Sequence, residues 1–342
     1  MPTRMKDIAE YLGISSSTVS RALNNTGYVS EELRRKITQA IVELDYQPNL
    51  LARGLRKQST NLVGLIVPDL MNPYYTSVAQ AIEGLLAAGE YRLILSVSNE
   101  DPASELSYLQ ALQNQRVAGV IIASTSKNND YLTHLVQQGV PVVAHTREVR
   151  SRLVDNVLAA DSEGGYAAAR HLIELGHTRV GVICGPQELS SGRDRLQGFL
   201  QAFKEADIPI DTRLIRIGVF QRAFGARATL ELLDLVPPPT ALFAAGGELT
   251  AGMMKALFER RVTVPDEISV VGYDDPEWFS FWHPPITTVD LPVDKISKET
   301  VEILIKRMTA QKRVRSRAIT IRVPVNFIAR ASTTRIKQHV GV

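Results

Sequence analysis

Eight short apolar runs constrain this chain more than any other feature; they lie at 62–67, 91–97, 117–123, 140–144, 180–184, 214–220, 240–245 and 268–273. Helical patterns separate most of them, for example at 76–88, 104–114, 161–175, 194–206, 222–235 and 249–260. A strand with one wet face alternates polar and apolar residues. These runs are nearly continuous, which predicts parallel sheets covered by helices on both faces. The stretch 61–335 suits two doubly wound subdomains better than one. The late segment 291–330 carries a helix at 295–309 and further β runs, so it is expected to cross back and complete both sheets. That gives an N-subdomain of about 61–160 plus 292–320 and a C-subdomain of about 161–290 plus 321–335. A ligand then belongs in the cleft at the carboxyl ends of the strands.

The first 46 residues read differently. Ile8, Ala9 and Leu12 give one buried helical face, and Gly13 permits the left-handed backbone of a tight turn. Ile14 returns to the core, and Ser15 or Ser16 can cap a second helix. On that helix Val19, Ala22 and Leu23 face inward, while Ser16, Ser17, Ser20 and Arg21 remain outside. Short hydroxyls with one long cation suit the major groove of DNA, where Arg bonds a guanine edge bidentately. A hairpin that only packs would look similar at this level. Ser30 caps a third helix with the stripe Leu33, Ile37, Ile41 and Leu44. The expectation is an all-α helix-turn-helix headpiece at 1–46.

Charge supports a nucleic-acid partner. Residues 1–60 hold nine Lys/Arg and six Asp/Glu, whereas the rest holds 30 of each, so the whole net charge of +3 sits in the headpiece segment. That is where phosphate neutralisation would need it. Cys184 is the only cysteine and lies in an apolar run, which excludes an internal disulfide framework and a cysteine zinc site. His134, His145, His171, His177, His283 and His339 show no metal spacing. Neither a membrane-length apolar run nor a signal-peptide core is present, so a cytoplasmic protein with no membrane partner is expected.

Residues 47–60 are a linker or a hinge helix. Pro48 suits a helix start, but a helix over 49–56 is marginal alone and Gly54 weakens it. As a hinge folding on DNA it would place Leu55 as an apolar wedge in the minor groove. Ala52 would lie beside it, with Arg53, Arg56 and Lys57 near phosphates.

Several segments together resemble the lactose-repressor (LacI/GalR) family over nearly the whole chain. They include Asp7-Ile-Ala-Glu-Tyr-Leu-Gly-Ile-Ser, Thr18-Val-Ser-Arg-Ala-Leu-Asn, Val29-Ser, and Leu44-Asp-Tyr-Gln-Pro-Asn with Ala52 and Leu55. Downstream stand Val63-Gly-Leu-Ile-Val-Pro-Asp, Asn72-Pro-Tyr-Tyr, Gly176-His-Thr-Arg-Val-Gly and Gly185-Pro ahead of Arg195-Leu-Gln-Gly-Phe. Val264-Pro-Asp-Glu-Ile-Ser-Val-Val-Gly-Tyr-Asp-Asp and Pro285-Ile-Thr-Thr-Val complete the likeness. It implies a core like a periplasmic binding protein and a homodimer, sometimes a tetramer, on a near-palindromic double-stranded operator. Ser16, Ser17 and Arg21 match base-reading positions. Thr18, Ser20, Asn24 and Tyr28 match positions near phosphates or bases, and Ala52 and Leu55 match hinge contacts.

In the core, Asn72, Tyr74, Tyr75, Arg147, Arg195, Phe220 and Asp274 resemble effector contacts. Aromatics can stack on a pyranose or purine while Arg and Asp bond its rim. Ordinary packing for the tyrosines and a capping role for Asp274 are the plain alternatives, and Arg193 reads as a solvated charge. Two departures matter. Gly246-Gly247 replaces the family's usual Asn-Asp, leaving any polar task there to Glu248. His145-Thr146-Arg147 replaces Val-Asp-Arg, so an acid is lost and His145 stands beside Arg147 as a candidate effector contact. Both changes point to a more positive cleft and an anionic effector such as a sugar acid, with a neutral sugar or a purine as alternatives. Trp278, Phe279, Phe281 and Trp282 either line the cleft or mark an interface.

The expected function is a DNA-binding transcriptional regulator, a repressor of carbohydrate or sugar-acid genes that an effector releases. A corepressor-dependent regulator and a sugar-binding protein without DNA binding are the other readings. No catalytic set, cofactor or metal is expected, because no phosphate loop, nucleophile elbow or dinucleotide loop is present.

Overall fold

The computed structural model describes residues 3–24, 27–46, 60–310 and 317–336. It divides into two compact units, Met1–Thr60 and Asn61–Val342.

The first unit holds α1 (Met5–Leu12), α2 (Ser16–Asn24) and α3 (Glu31–Glu43). Ile8, Ala9, Val19, Ala22, Ile37, Ala40 and Tyr46 form its core. Gly13 ends α1 at φ +63°, and Ile14 N–H then reaches back to the Ala9 carbonyl at 2.9 Å. Ser15, not Ser16, caps α2: its Oγ accepts from Thr18 N–H at 3.1 Å. Ser30 caps α3 through Leu33 N–H. Ala52, Leu55 and Arg56, with the rest of 47–59, lie outside the described residues, as does the side chain of Asn24.

The second unit opens with β1 (Leu62–Val67), α4 (Pro73–Ala88), β2 (Arg92–Val97), α5 (Pro102–Asn114), β3 (Gly119–Ile122), α6 (Asn129–Gln137), β4 (Val142–His145) and β5 (Asp155–Ala159). It continues through α7 (Asp161–Glu174), β6 (Val180–Cys184), α8 (Ser190–Glu205), β7 (Ile215–Ile217), α9 (Arg222–Leu233), β8 (Ala241–Ala244), α10 (Gly247–Glu259) and β9 (Ser269–Tyr273). It closes with α11 (Trp278–Phe281), β10 (Thr287–Asp290), α12 (Val293–Thr309), β11 (Thr320–Val323) and β12 (Asn326–Ile328). Two six-stranded sheets result, in the orders β11-β5-β4-β3-β1-β2 and β12-β10-β9-β8-β6-β7. Every pairing is parallel except β10 with β12. The runs at 62–67, 117–123, 180–184 and 240–245 hold central strands buried on both faces, whereas those at 91–97 and 214–220 are the partly exposed edge strands β2 and β7.

The chain passes between the sheets three times: after β5, after β10 and after β11. α12 packs on β3, β4, β5 and α4 of the first sheet. The last passage, expected at about residue 320, comes after Val323, because β11 pairs with β5. β5 and α6 are elements that the apolar pattern did not single out. The run 214–220 yields only the three-residue β7.

Candidate functional site

The outward face of α2 carries the expected short polar groups. Ser16, Ser17 and Arg21 are exposed, and Thr18 and Ser20 are half-buried. Ser15 Oγ lies 2.7 Å from Ser17 Oγ and 2.8 Å from Thr18 Oγ1, so the cap ties these hydroxyls into one cluster. Arg21 Nε donates to the Ser17 carbonyl at 3.3 Å. Tyr28 stands 91% exposed after the helix. A large aromatic left in solvent beside an Arg and several hydroxyls suits a phosphate backbone and base edges.

In the second unit the strand ends converge on a cleft of about 530 Å3, part of it open to solvent. Pro68 and Asp69 follow β1, Glu100 follows β2, and Thr146 and Arg147 follow β4. Phe220 comes after β7, Gly246 to Glu248 after β8, Asp274 after β9 and Leu291 after β10. Asn72, Tyr74 and Tyr75 enter from the start of α4, and Ser191 and Arg195 from α8. Asn72 is the N-cap there, accepting from Tyr74 N–H at 3.0 Å. This is where a doubly wound sheet places its ligand.

Arg195 is seated by the helices behind it. A side chain at Gly165 would strike the Arg195 carbonyl, and one at Gly198 would strike Ser162, so α7 and α8 touch backbone to backbone. That approach brings Arg195 Nε to Asp161 at 2.8 Å and its guanidinium carbon 3.8 Å from the centre of the Tyr273 ring. Nη1 donates to the Ala245 carbonyl at 3.0 Å, and Tyr273 OH donates to the same Asp161 oxygen at 2.8 Å. Burial pushes the Asp161 and Asp274 carboxyls above their usual range, and the Arg195 cation pulls both back. Asp274 adopts φ +65°, and one of its oxygens accepts Gly247 N–H at 2.9 Å.

On the opposite wall Arg147 is only 2% exposed, and its two terminal nitrogens grip Glu100 at 2.8 and 2.7 Å. Its Nε is buried without a partner. Phe220 lies between the two cations, 6.0 Å from Arg147 and 5.8 Å from Arg195. Its ring rests against Gly185 and Gly246, in space that a Cβ at either position would fill. The Gly246-Gly247 departure is therefore where Phe220 packs. Glu248 is not left free for a ligand, because Arg222 binds both its oxygens at 2.7 and 3.0 Å.

Three expectations need correction. His145 does not line the cleft. It stands fully buried behind Tyr74, with Nδ1 3.0 Å from Thr300 Oγ1, and burial pushes its pKa down to about 3. Trp278 is also absent from the lining; it and Trp282 pack on the core of the second sheet, edge to face at 5.6 Å. The positive potential is not there either. The lining holds four carboxylates (Asp69, Glu100, Glu248, Asp274) against two guanidiniums, and Glu100 and Asp161 occupy those. Arg193, read as solvated, instead bonds Asp194 at 2.9 Å and Glu148 at 3.4 Å. Tyr74 and Tyr75 pack in the core and also line the cleft. Sequence reasoning missed Asp69, Glu100, Thr146, Ser191 and Leu291. The one available signal was that each follows a strand or opens a helix.

Comparison with known proteins adds the following. Residues 4–49 match the family described as bacterial regulatory proteins, lacI family, and residues 169–333 match a periplasmic binding protein-like domain. The HTH-type transcriptional regulator DegA of Bacillus subtilis is 31% identical, over 98% of this chain and 99% of its own length. The HTH-type transcriptional repressor PurR of Proteus mirabilis is 34% identical over 96% of each. Among solved structures, the lac repressor dimer bound to operator and the anti-inducer ONPF superposes with a TM-score of 0.84 at 27% identity, covering 98% of this chain and all of that one. The regulator CelR in complex with cellobiose gives 0.73 at 28% identity, covering 96% and 99%. A LacI-family regulator of Enterococcus faecium with bound ribose gives 0.71 at 28%, covering 81% and 100%.

Proposed function

This chain belongs to the LacI family of bacterial regulatory proteins and is a DNA-binding transcriptional regulator, not an enzyme, and we propose that it is a dimeric repressor released from its operator by a small neutral polyhydroxylated ligand in the cleft. The α2 face is the reader: Arg21 takes a base edge, while Ser16, Ser17, Thr18 and Tyr28 hold the backbone or adjoining bases. Half-sites on a near-palindromic duplex follow from two headpieces related by a twofold axis.

The balance of charge in the cleft carries the choice of ligand. Both guanidiniums already bind carboxylates, and Asp69 and Asp274 make no direct ion pair among the described residues. Hydroxyl groups donate to such carboxylates without bringing a second negative charge, whereas a sugar acid would add one. Phe220 supplies an apolar face for a sugar ring. Two structural relatives hold neutral sugars, cellobiose and ribose, which agrees with this reading.

The test begins with a selection from random duplexes to find the operator. Its release is then followed by fluorescence anisotropy against neutral aldoses, their uronic and aldonic acids, and purine bases. Release by neutral sugars alone supports the proposal. Release by the acids alone overturns the ligand class, and failure to select any duplex overturns the operator reading.

A further inference from the structure

Glu100 occupies a turn position that ordinarily goes to glycine. β2 ends at Val97, and α5 starts at Pro102 with Asp101 as its cap, accepting from Ala103 and Ser104 N–H. The turn Ser98–Asp101 is closed by Asp101 N–H donating to the Ser98 carbonyl at 2.9 Å. Its central residues, Asn99 and Glu100, both sit in the left-handed region at φ +52° and +59°. This is the mirror-image turn that favours Asn followed by Gly. Asn99 fits. Glu100 holds a strained backbone where glycine would hold none.

The strain delivers a carboxylate to a specific place. Arg147 is almost wholly buried in the first-sheet wall of the cleft, and both its terminal nitrogens are spent on Glu100. Its Nε–H is buried and unpartnered. The Glu100 side chain is itself 37% exposed and forms part of the cleft lining. Arg195 is already paired on the other wall, with Nε on Asp161 and Nη1 on the Ala245 carbonyl.

We propose that Glu100 sets the charge of the ligand this cleft accepts: it fills the Nη1/Nη2 fork of Arg147 and balances that cation, so the cleft takes a neutral ligand and excludes anions. The proposal deepens the reading of the cleft as the effector site and rests on it. An open Arg147 fork is the right shape for a carboxylate bound through two parallel bonds. With Glu100 in place, an incoming acid would have to displace a carboxylate tethered to the same chain. Glu100 acts through Arg147 and is a positioning residue.

The experiment compares the full chain with Glu100→Gln and Glu100→Gly, melted in sodium acetate and in sodium chloride at equal ionic strength. Glycine is the residue the turn favours, so Glu100→Gly tests the idea even where Glu100→Gln folds poorly. Acetate at about 50 mM is expected to raise the melting temperature of both variants by roughly 2–4 °C over chloride, and that of the wild type by less than about 1 °C. Adding Arg147→Gln to Glu100→Gly should abolish the gain, which a merely structural role for Glu100 would not require. Equal acetate responses in wild type and Glu100→Gly, or no response in either, overturn the proposal. Acetate is a probe independent of the natural ligand. A wild-type protein that no panel compound releases from its operator would defeat the effector reading, whereas the acetate result bears on Glu100.

Discussion

Arginine is held in opposite ways on the headpiece and in the cleft. Arg21 is exposed and, among the described residues, bonds the carbonyl of Ser17, one turn behind it. Arg147 and Arg195 are buried, and each is fixed by a carboxylate and faces an aromatic ring. The cleft cations lose their rotamer freedom when the chain folds, so a ligand meets them already ordered. Arg21, exposed on α2, still has that entropy to lose, and under the proposed reading it would give it up on DNA. A fixed donor discriminates ligand shape, whereas a free one can search base edges. Substitutions should therefore damage the fold in one region and recognition in the other.

The largest effect is expected from Arg195→Ala. It leaves Asp161 buried and uncompensated and removes the guanidinium from Tyr273, costing about 3–5 kcal/mol of core stability. Denaturant unfolding of the second unit measures this; unchanged stability would mean that the cleft cations are as loosely held as Arg21.

A pH titration sharpens the same point for His145. Its folded pKa of about 3 lies below the ordinary value of 6.5. The unfolded chain therefore binds the extra proton between those limits, and stability falls as pH falls through that window. Between pH 7 and 5 the loss is about 2 kcal/mol, and His145→Gln should remove that share of the slope. Equal slopes in both proteins would place a water-accessible imidazole behind Tyr74.

Arg21→Ala should leave the melting temperature unchanged and weaken operator binding by about 1–3 kcal/mol. Loss concentrated at one base pair marks base readout, and uniform loss over operator variants marks a phosphate contact. Ser15→Ala is the smallest change. Losing the α2 cap should cost about 1 kcal/mol, read as lower headpiece stability and a modest loss of operator affinity that salt does not reverse.

Much of the fold was legible because central parallel strands must be apolar on both faces, and the runs at 62–67, 180–184 and 268–273 became β1, β6 and β9 almost residue for residue. β5 escaped the pattern because it opens on Asp155 and Asn156. Both are buried, Asp155 by Arg307 from α12 at 2.7 and 2.8 Å and Asn156 by the Val149 backbone. A partner as remote as Arg307 leaves no local signal at Asp155. The aromatic run at 278–282 was visible as a cluster, but its packing on the second core was not.

In the cleft the same limit took a chemical form. The sequence by itself determined which kinds of residue stand at the strand ends, since parallel strands between helices deliver their loops to one edge. It also determined the exposed polar face of α2, because helical period and a serine cap are local. Only the tertiary structure decided what charge the cleft presents. Counting acids lost at 145–147 and 246–247 gave a positive site, but Glu100 and Asp161 arrive from elsewhere in the chain and bind both guanidiniums. Electrostatic character belongs to pairs brought together by folding, and a residue's type fixes only the charge it brings.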